Sequence, residues 1–263
     1  MSVVKQRVLS IRLELPRLGA RKLHVLLKQD RSAPCVGRDR LFTLLREEDL
    51  LVKRKRRYTK TTNSKHWMRK YPNKIKHMSL KRPEQLWVAD ITYIALKQGY
   101  AYLHLITDAY SKMIVGYYLS EDLSAGSSLQ ALKMALRQRK SRKYLIHHSD
   151  RGLQYCSSGY VTMLGKNGID ISMTEESSPY ENAVAERVNG ILKDEFGMDD
   201  VFEDLHQAKK QLSESIVLYN QKRPHQSNHM LTPLQMHSQQ KLKPKTWKKK
   251  TTSTHENTCG SIT

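Results

Sequence analysis

The chain has 263 residues, and its 46 Lys and Arg residues against 25 Asp and Glu residues give a formal net charge of +21. With 38% hydrophobic and 27% charged residues, the chain is apolar enough to bury a core, which excludes a disordered polyampholyte. No apolar run approaches the roughly 18 residues that span a bilayer, and charges interrupt the N-terminal stretch where a secretory signal would be continuous. The excess positive charge favours a polyanionic partner, either nucleic acid or an anionic membrane surface.

The three cysteines, Cys35, Cys156 and Cys259, are odd in number and far apart in the chain. They form neither a disulfide framework nor a C-x-x-C metal knuckle. This usage is typical of a reducing compartment, so we expect a cytoplasmic protein.

The first 52 residues are predicted to form a small helix-turn-helix domain. Two short amphipathic helices are indicated by leucines at helical spacing, and Pro34 lies in the link between them and cannot sit inside a long helix. Arg38 and Arg40 fall on the exposed side of the second helix, where they are candidate DNA contacts. An ordinary helical hairpin explains the same pattern equally well.

Residues 53–82 are predicted to be a basic linker, because they contain 13 basic and no acidic residues and lack hydrophobic periodicity. The run at its start is either a set of phosphate contacts or a solvated charge run, and the absence of acids over 30 residues favours phosphate contact. The candidate DNA-binding residues of this run are Lys53, Arg54, Lys55, Arg56 and Arg57.

Residues 83–240 are predicted to be a mixed α/β domain. Three runs rich in Val, Ile, Tyr and Thr follow one another closely, with Gly99 and the Ser111-Lys112 step at their turns, so we expect an antiparallel meander. Two further strands then alternate with amphipathic helices, which predicts a mixed five-stranded sheet with flanking helices. Residues 83–190 contain 11 basic and 11 acidic side chains and are formally neutral. Residues 241–263 are predicted to be a basic disordered tail.

Three carboxylates are candidates for metal chemistry. Asp90 lies inside an apolar strand, where a charge is costly unless it has a partner or a purpose. Asp150 lies where a short apolar strand ends, Glu186 lies on a helix one turn after Asn182, and 35 residues separate Asp150 from Glu186. Each acid alone has an ordinary interpretation: Asp90 as a hydrogen-bond acceptor, Asp150 as a turn residue and Glu186 as a solvated helix residue. Together they predict a site for two Mg²⁺ ions that supports phosphoryl transfer.

The segments WVADITYI, HHSDRGLQY and SPYENAVAERVNGILKDE together resemble the DDE recombinase core shared by bacterial insertion-sequence transposases and retroviral integrases. The resemblance is greatest to orfB-type transposases of elements with two overlapping reading frames, and it covers roughly residues 15–240. It implies an RNase H-like integrase core preceded by the helix-turn-helix domain. Retroviral integrases carry a zinc-bound N-terminal domain instead.

The resemblance also implies roles for individual residues. Asp90, Asp150 and Glu186 match the catalytic metal-binding carboxylates, with two Mg²⁺ ions and Mn²⁺ as a substitute. Lys193 matches a basic residue that contacts DNA near the reacting end. Asn182 matches the asparagine one turn before the glutamate, and we predict that it also contacts DNA. The implied function is DNA cleavage and strand transfer during transposition.

The implied partners are double-stranded DNA, as element ends and target, and further copies of the chain in a DNA complex. An upstream-frame protein or fusion is a further implied partner, and the expected location is the bacterial nucleoid. Two other functions fit parts of the pattern: a nuclease of the RNase H superfamily, against which the basic flanks argue, and a non-catalytic DNA-binding regulator, against which the intact acid set argues. Membrane binding lacks an amphipathic helix to support it.

The remaining candidates are weaker. Of the neighbouring His147 and His148, one is expected to be packed and one to lie near the site, since they point to opposite faces of a strand. A zinc site at His225 and His229 is disfavoured because no Cys pair accompanies them. Two questions stay open: whether Arg223, Pro224 and His225 pack the C-terminal helices, touch DNA or only end a helix, and whether Trp87 and Tyr155 lie near DNA.

Overall fold

The computed structural model of the protein describes residues 2–30, 34–52, 67–76, 78–175 and 182–245. The candidate contacts Lys53 to Arg57 and the proposed tail from residue 246 onward lie outside these ranges. None of the described helices combines the length and apolarity that a bilayer span requires.

Three helices form the N-terminal region: α1 (Ser2–Glu14), α2 (Ala20–Gln29) and α3 (Arg38–Glu47). The last two match the predicted pair, and Leu23, Leu41 and Leu45 are buried between them. Helix α1 was not predicted, although its buried Val4 and Val8 are four residues apart, as one face of a helix requires.

A five-stranded sheet with the spatial order β3-β2-β1-β4-β5 follows, which confirms the predicted mixed sheet. The first three strands pair antiparallel, while β4 pairs parallel with both β1 and β5. Gly99 closes the first hairpin at φ 94°, a left-handed conformation that glycine adopts without strain. The strands are β1 (Leu86–Leu96), β2 (Gly99–Asp108), β3 (Ile114–Ser120), β4 (Leu145–Ser149) and β5 (Ile169–Met173).

Helices cover both faces of the sheet. Their bounds are α4 (Ala125–Gln138), α5 (Leu153–Cys156), α6 (Ser158–Lys166), α7 (Ala183–Phe196), α8 (Leu205–Gln221) and α9 (Pro233–His237). Helix α4 begins at Ser124, whose hydroxyl accepts from the Ser127 amide as an N-cap. Helix α9 begins with a capping box formed by Thr232 and Gln235.

Side chains alternate between the two faces of β1, and this alternation positions the site. Trp87 and Ala89 pack with residues of α4, α5 and α6 on one face. Leu86 and Val88 pack with Ala185 of α7 on the other face. Further along that face, one hydrophobic cluster joins α7 and α8 to the three N-terminal helices, so the N-terminal region shares a core with the sheet domain.

Candidate active site

Asp90 and Asp150 come together because β1 and β4 are parallel neighbours. Val88 of β1 lies opposite His148 of β4 in the parallel register. Two residues further along each strand are Asp90 and Asp150, so the two acids lie side by side, with Asp150 just after the end of β4. Asp90 has the same side-chain parity as Val88 and therefore faces α7. An Asp150 carboxylate oxygen accepts the Gly152 amide at 3.0 Å, which orients the carboxylate at the turn into α5.

The two carboxylates are electrostatically coupled. Burial, and after it the charge of Asp150, raises the pKa of Asp90 to about 7. Hydrogen bonds from the Asn189 side chain and the Ile91 backbone oppose this shift, and Glu186 adds a smaller upward contribution. A pair of carboxylates that repel each other in a poorly hydrated place favours binding of a cation.

Glu186 lies in the first turn of α7 with an exposed side chain. Loss of hydration raises the pKa of its carboxyl group. Its charge reaches Asp90, but among the described residues no three acidic, histidine or cysteine side chains are close enough to form a preformed metal cluster. The structure thus brings two of the three predicted carboxylates together and places the third on the helix that covers them.

Asn189 is a site residue that the sequence did not reveal. Its Nδ2 donates to Oδ2 of Asp90 at 2.8 Å, which holds the Asp90 side chain in one orientation against α7. Asn189 lies three residues after Glu186, on the same face of the helix. That spacing was visible in the sequence, but an amide on a helix is usually solvated, and only the contact with β1 distinguishes this one.

Asn182 anchors the start of α7. Its Nδ2 donates to the Ala89 carbonyl oxygen at 3.1 Å, and the side chain is buried. The structure therefore gives Asn182 a contact within the protein, next to Asp90, and its contact with DNA stays a prediction.

Lys193 continues this face of α7 away from Glu186. Its Nζ lies 4.5 Å from the centroid of the Tyr93 ring, and Tyr93 packs edge to face against Tyr100 at 5.5 Å between centroids. A cation over an aromatic ring is held in place with modest energy. The predicted contact of Lys193 with a phosphate near the carboxylates is compatible with this position and stays a prediction.

Arg38 and Arg40 are exposed on α3, as the sequence predicted. Arg38 forms an ion pair with the adjacent Asp39, with Nε 2.7 Å from Oδ1. They belong to the N-terminal region and contribute nothing to the carboxylate pair.

Both histidines before Asp150 are buried and packed, where we expected one packed ring and one near the site. His147 Nε2 is 2.9 Å from the Tyr160 hydroxyl, and His148 Nδ1 is 2.9 Å from the Ser172 hydroxyl. Burial lowers the pKa of His147 to about 3, so the ring is neutral. Trp87 and Tyr155 are both buried, so neither side chain is exposed for contact with DNA, and whether they lie near DNA stays open.

The structure settles the role of Arg223 within the protein. Its guanidinium donates from Nε and Nη2 to the two oxygens of Glu195, at 2.8 and 2.6 Å, and from Nη1 to Nε2 of His225 at 2.8 Å. Lys22 of α2 also pairs with Glu195, with Nζ 3.2 Å from Oε1. This network packs the segment after α8 onto α7 and α2, and it engages Nε2 of His225.

Comparison with known proteins agrees with the fold. Residues 81–179 match a family model described as integrase core domain, and residues 167–233 match a second model with the same description. The N-terminal helices lie outside both matches.

The chain is 38% identical over 209 residues to the insertion element IS600 uncharacterized 31 kDa protein of Shigella sonnei, which covers 79% of this chain and 76% of that protein. It is 40% identical over 118 residues to a putative transposase for insertion sequence element IS986/IS6110 of Mycobacterium tuberculosis, covering 43% of this chain and 42% of the relative.

Among solved structures, the chain resembles a simian T-cell lymphotropic virus intasome in complex with a PP2A regulatory subunit. The identity is 18% and the TM-score is 0.53, with 89% of this chain and 75% of that chain covered. At this identity the likeness shows the fold. The matches with the integrase core models and with the Shigella relative show more: the chain belongs to the family of insertion-sequence transposases that carry an integrase core domain.

Proposed function

We propose that the chain cuts one DNA strand at each end of its insertion sequence and joins the freed 3′-hydroxyl to a target strand. The observation that carries this proposal is the coupled pair Asp90 and Asp150 on neighbouring parallel strands, covered by the helix that bears Glu186. Strand cleavage and strand transfer are both phosphoryl transfers, so one site serves both reactions.

The donor set fits divalent cations. It consists of carboxylate oxygens, the ligands that Mg²⁺ prefers, and burial together with the charge of Asp150 raises the pKa of Asp90 to about 7. Asp90, Asp150 and Glu186 would hold two Mg²⁺ ions, with Mn²⁺ as a substitute. When bound, the ions supply activation of the attacking oxygen and stabilisation of the leaving oxygen.

The chain's own residues position these donors. Asn189 fixes one oxygen of Asp90, and the Gly152 amide fixes one oxygen of Asp150, so both carboxylates are oriented before any ligand binds. Asn182 fastens the start of α7 to β1, which sets the distance of Glu186 from the sheet. Lys193 lies over the Tyr93 ring on the same face of α7, and the proposal has it hold a DNA phosphate beside the carboxylates.

The test is strand cleavage and joining in Mg²⁺ with labelled duplexes carrying the inverted repeats that flank the coding region. We expect Glu186→Gln to lose both reactions while retaining duplex binding, because it removes one charged ligand and keeps the shape of the side chain. The matched control is Glu214→Gln, an equal change at an exposed position of α8.

Strand transfer retained by Glu186→Gln would contradict the proposed chemistry. A wild-type chain that only hydrolyses the duplexes, without joining, would indicate a nuclease instead. Binding without either reaction would indicate a regulator.

The same proposal requires two element ends to be held together, so we propose that copies of the chain assemble on DNA near the nucleoid. A product of an upstream reading frame, separate or fused, is the further proposed partner.

A further inference from the structure

A second site is indicated on the opposite side of α7 from the carboxylates. Asn182, Glu186, Asn189 and Lys193 share one face of this helix. The opposite face, which includes Arg187, borders a cavity of about 660 Å³ that lies between α7, the N-terminal helices and the segment after α8.

Five basic side chains from four parts of the fold line this cavity. They are Arg21 and Lys22 of α2, Lys112 of the β2–β3 turn, Arg187 of α7, and Arg223 after α8. Among the described residues that line the cavity, none is acidic. Among the residues that the structure describes, Glu195 is the only carboxylate that forms an ion pair with any of the five, and it is shared between Lys22 and Arg223.

Burial lowers the pKa values of the enclosed basic groups, and neighbouring positive charge lowers them further at Lys22 and His225. Burial and then the charge of Arg223 lower the pKa of Lys22 to about 8, despite its contact with Glu195. Burial lowers the pKa of Lys112 to about 8 as well, although the charge of Asp108 acts in the opposite direction. The pKa of His225 lies well below its ordinary value because of burial and the surrounding cations, so its ring stays neutral.

The positions of the cations suit an anion entering from solvent. Arg21 and Arg187 are exposed, so their guanidinium groups stand at the opening, whereas the Lys22 and Arg223 side chains are only 13% and 1% exposed. Guanidinium groups bind the oxygens of a phosphate in pairs, which a point charge does not.

We infer that this cavity binds a phosphate group, with Arg21 and Arg187 as its accessible ligands and Lys22 and Arg223 as fixed charges behind them. A phosphodiester of DNA and a free phosphate share this chemistry. The partly exposed apolar side chain of Val184 beside the cations suits the sugar of a nucleic-acid backbone. Assignment of the phosphate to DNA rests on the proposed function, whereas phosphate binding itself does not.

The experiment uses the full chain with the double variant Arg21→Gln/Arg187→Gln. Both side chains are exposed and neither forms an ion pair within the described residues, so the substitution spares the core. The control is Lys133→Gln/Lys166→Gln, which removes two exposed charges from α4 and α6 on the other face of the sheet. The thermal midpoint of each variant without ligand checks that it folds.

Two probes distinguish the source of the phosphate. The first is duplex DNA titrated at several salt concentrations with EDTA present, where no strand chemistry occurs. The quantity compared is the slope of log K for DNA binding against the logarithm of the salt concentration. If the cavity holds a backbone phosphate, this slope becomes shallower by about 1 in the double variant and changes much less in the control. The single variant Arg187→Lys, with Arg21 unchanged, should retain most of this salt dependence of DNA binding, because the positive charge at position 187 is kept.

The second probe is inorganic phosphate at constant ionic strength, read by the rise in thermal midpoint. A rise that the double variant abolishes, with an unchanged DNA slope, assigns the site to free phosphate. If neither probe separates the double variant from the control, the inference is overturned. Because these titrations need no catalysis, loss of strand transfer in Glu186→Gln bears on the proposed function alone.

Discussion

We predict that His225 makes the free energy of unfolding depend on pH, because its surroundings lower the pKa of its ring. The side chain is 7% exposed, its Nε2 accepts from Arg223 at 2.8 Å, and its ring packs edge to face on Tyr219 at 5.1 Å between centroids. Burial first, and then the charges of Arg223, Lys22, Lys112 and Arg187, hold its pKa well below the ordinary value of 6.5. The folded chain therefore keeps this ring neutral at pH values where the unfolded chain protonates it.

The direction of the effect follows from proton counting. Below pH 6.5 the unfolded state binds one proton more than the folded state at this residue, so the free energy of unfolding falls as pH falls. Each pH unit contributes up to about 1.4 kcal/mol, so lowering the pH from 7.5 to 5 costs about 2 kcal/mol at His225 alone. Above pH 7.5 the contribution is constant.

The perturbation is His225→Gln, which keeps an acceptor for Arg223 but cannot titrate. The assay is urea unfolding of wild type and variant at pH 7.5 and pH 5, with the difference between the two proteins compared across pH. We expect the variant to be less stable at pH 7.5, because packing on Tyr219 is lost, and to recover about 2 kcal/mol relative to wild type at pH 5. Other buried histidines titrate equally in both proteins and cancel.

A difference between wild type and variant that stays the same at both pH values would refute the reasoning. It would mean that His225 is protonated in the folded chain and donates a hydrogen bond instead of accepting one. In that case the positive charge around it would be compensated in a way that the described residues do not show.

Three further outcomes test other parts of the structure. Glu195→Gln leaves its two cationic partners without their shared carboxylate, so we expect about 3 to 5 kcal/mol of destabilisation in urea unfolding, with a larger loss at low salt. Asn189→Ala releases the orientation of Asp90, so strand transfer should need about 10-fold more Mg²⁺ while the thermal midpoint changes little; an unchanged Mg²⁺ requirement would contradict a positioning role. Gly116→Ala would place a Cβ atom 2.3 Å from the Ala131 carbonyl oxygen, and we expect about 1 to 3 kcal/mol of destabilisation by calorimetry.

Much of the sheet could be predicted because its strands have a local signature. Each strand carries a run of β-branched and aromatic residues ended by a turn, and Lys112 indeed takes a left-handed conformation, with φ 64°, at the predicted second turn. The carboxylates could be predicted because Asp90 violates the apolar pattern of β1 and because the motifs resemble those of a family. Helix α1 was missed although its helical spacing was present, because charged residues fill most of the positions between its apolar ones.

The contacts across long sequence distances could not be predicted. The pair formed by Asn189 and Asp90 spans 99 residues, and the pair formed by Lys22 and Glu195 spans 173. Neither residue type reveals at its own position that a partner exists, since amides and acids on helices are usually solvated. Only the packing of α7 between the sheet and the N-terminal helices decides these pairings.

Helix α7 separates a carboxylate site from a basic cavity, which the linear sequence did not show. The face toward the sheet presents amides and an acid to the Asp90–Asp150 pair, which is the proposed cation site. The opposite face presents Arg187 to the cavity proposed to bind an anion. These faces are separated by the thickness of one helix, about 10 Å. A single DNA backbone that contacts both would be held on each side of the helix that carries Glu186, so a phosphate in the cavity would fix the position of that helix relative to the substrate. Binding and catalysis would then be coupled through α7 itself, while the formally neutral sheet carries the chemistry.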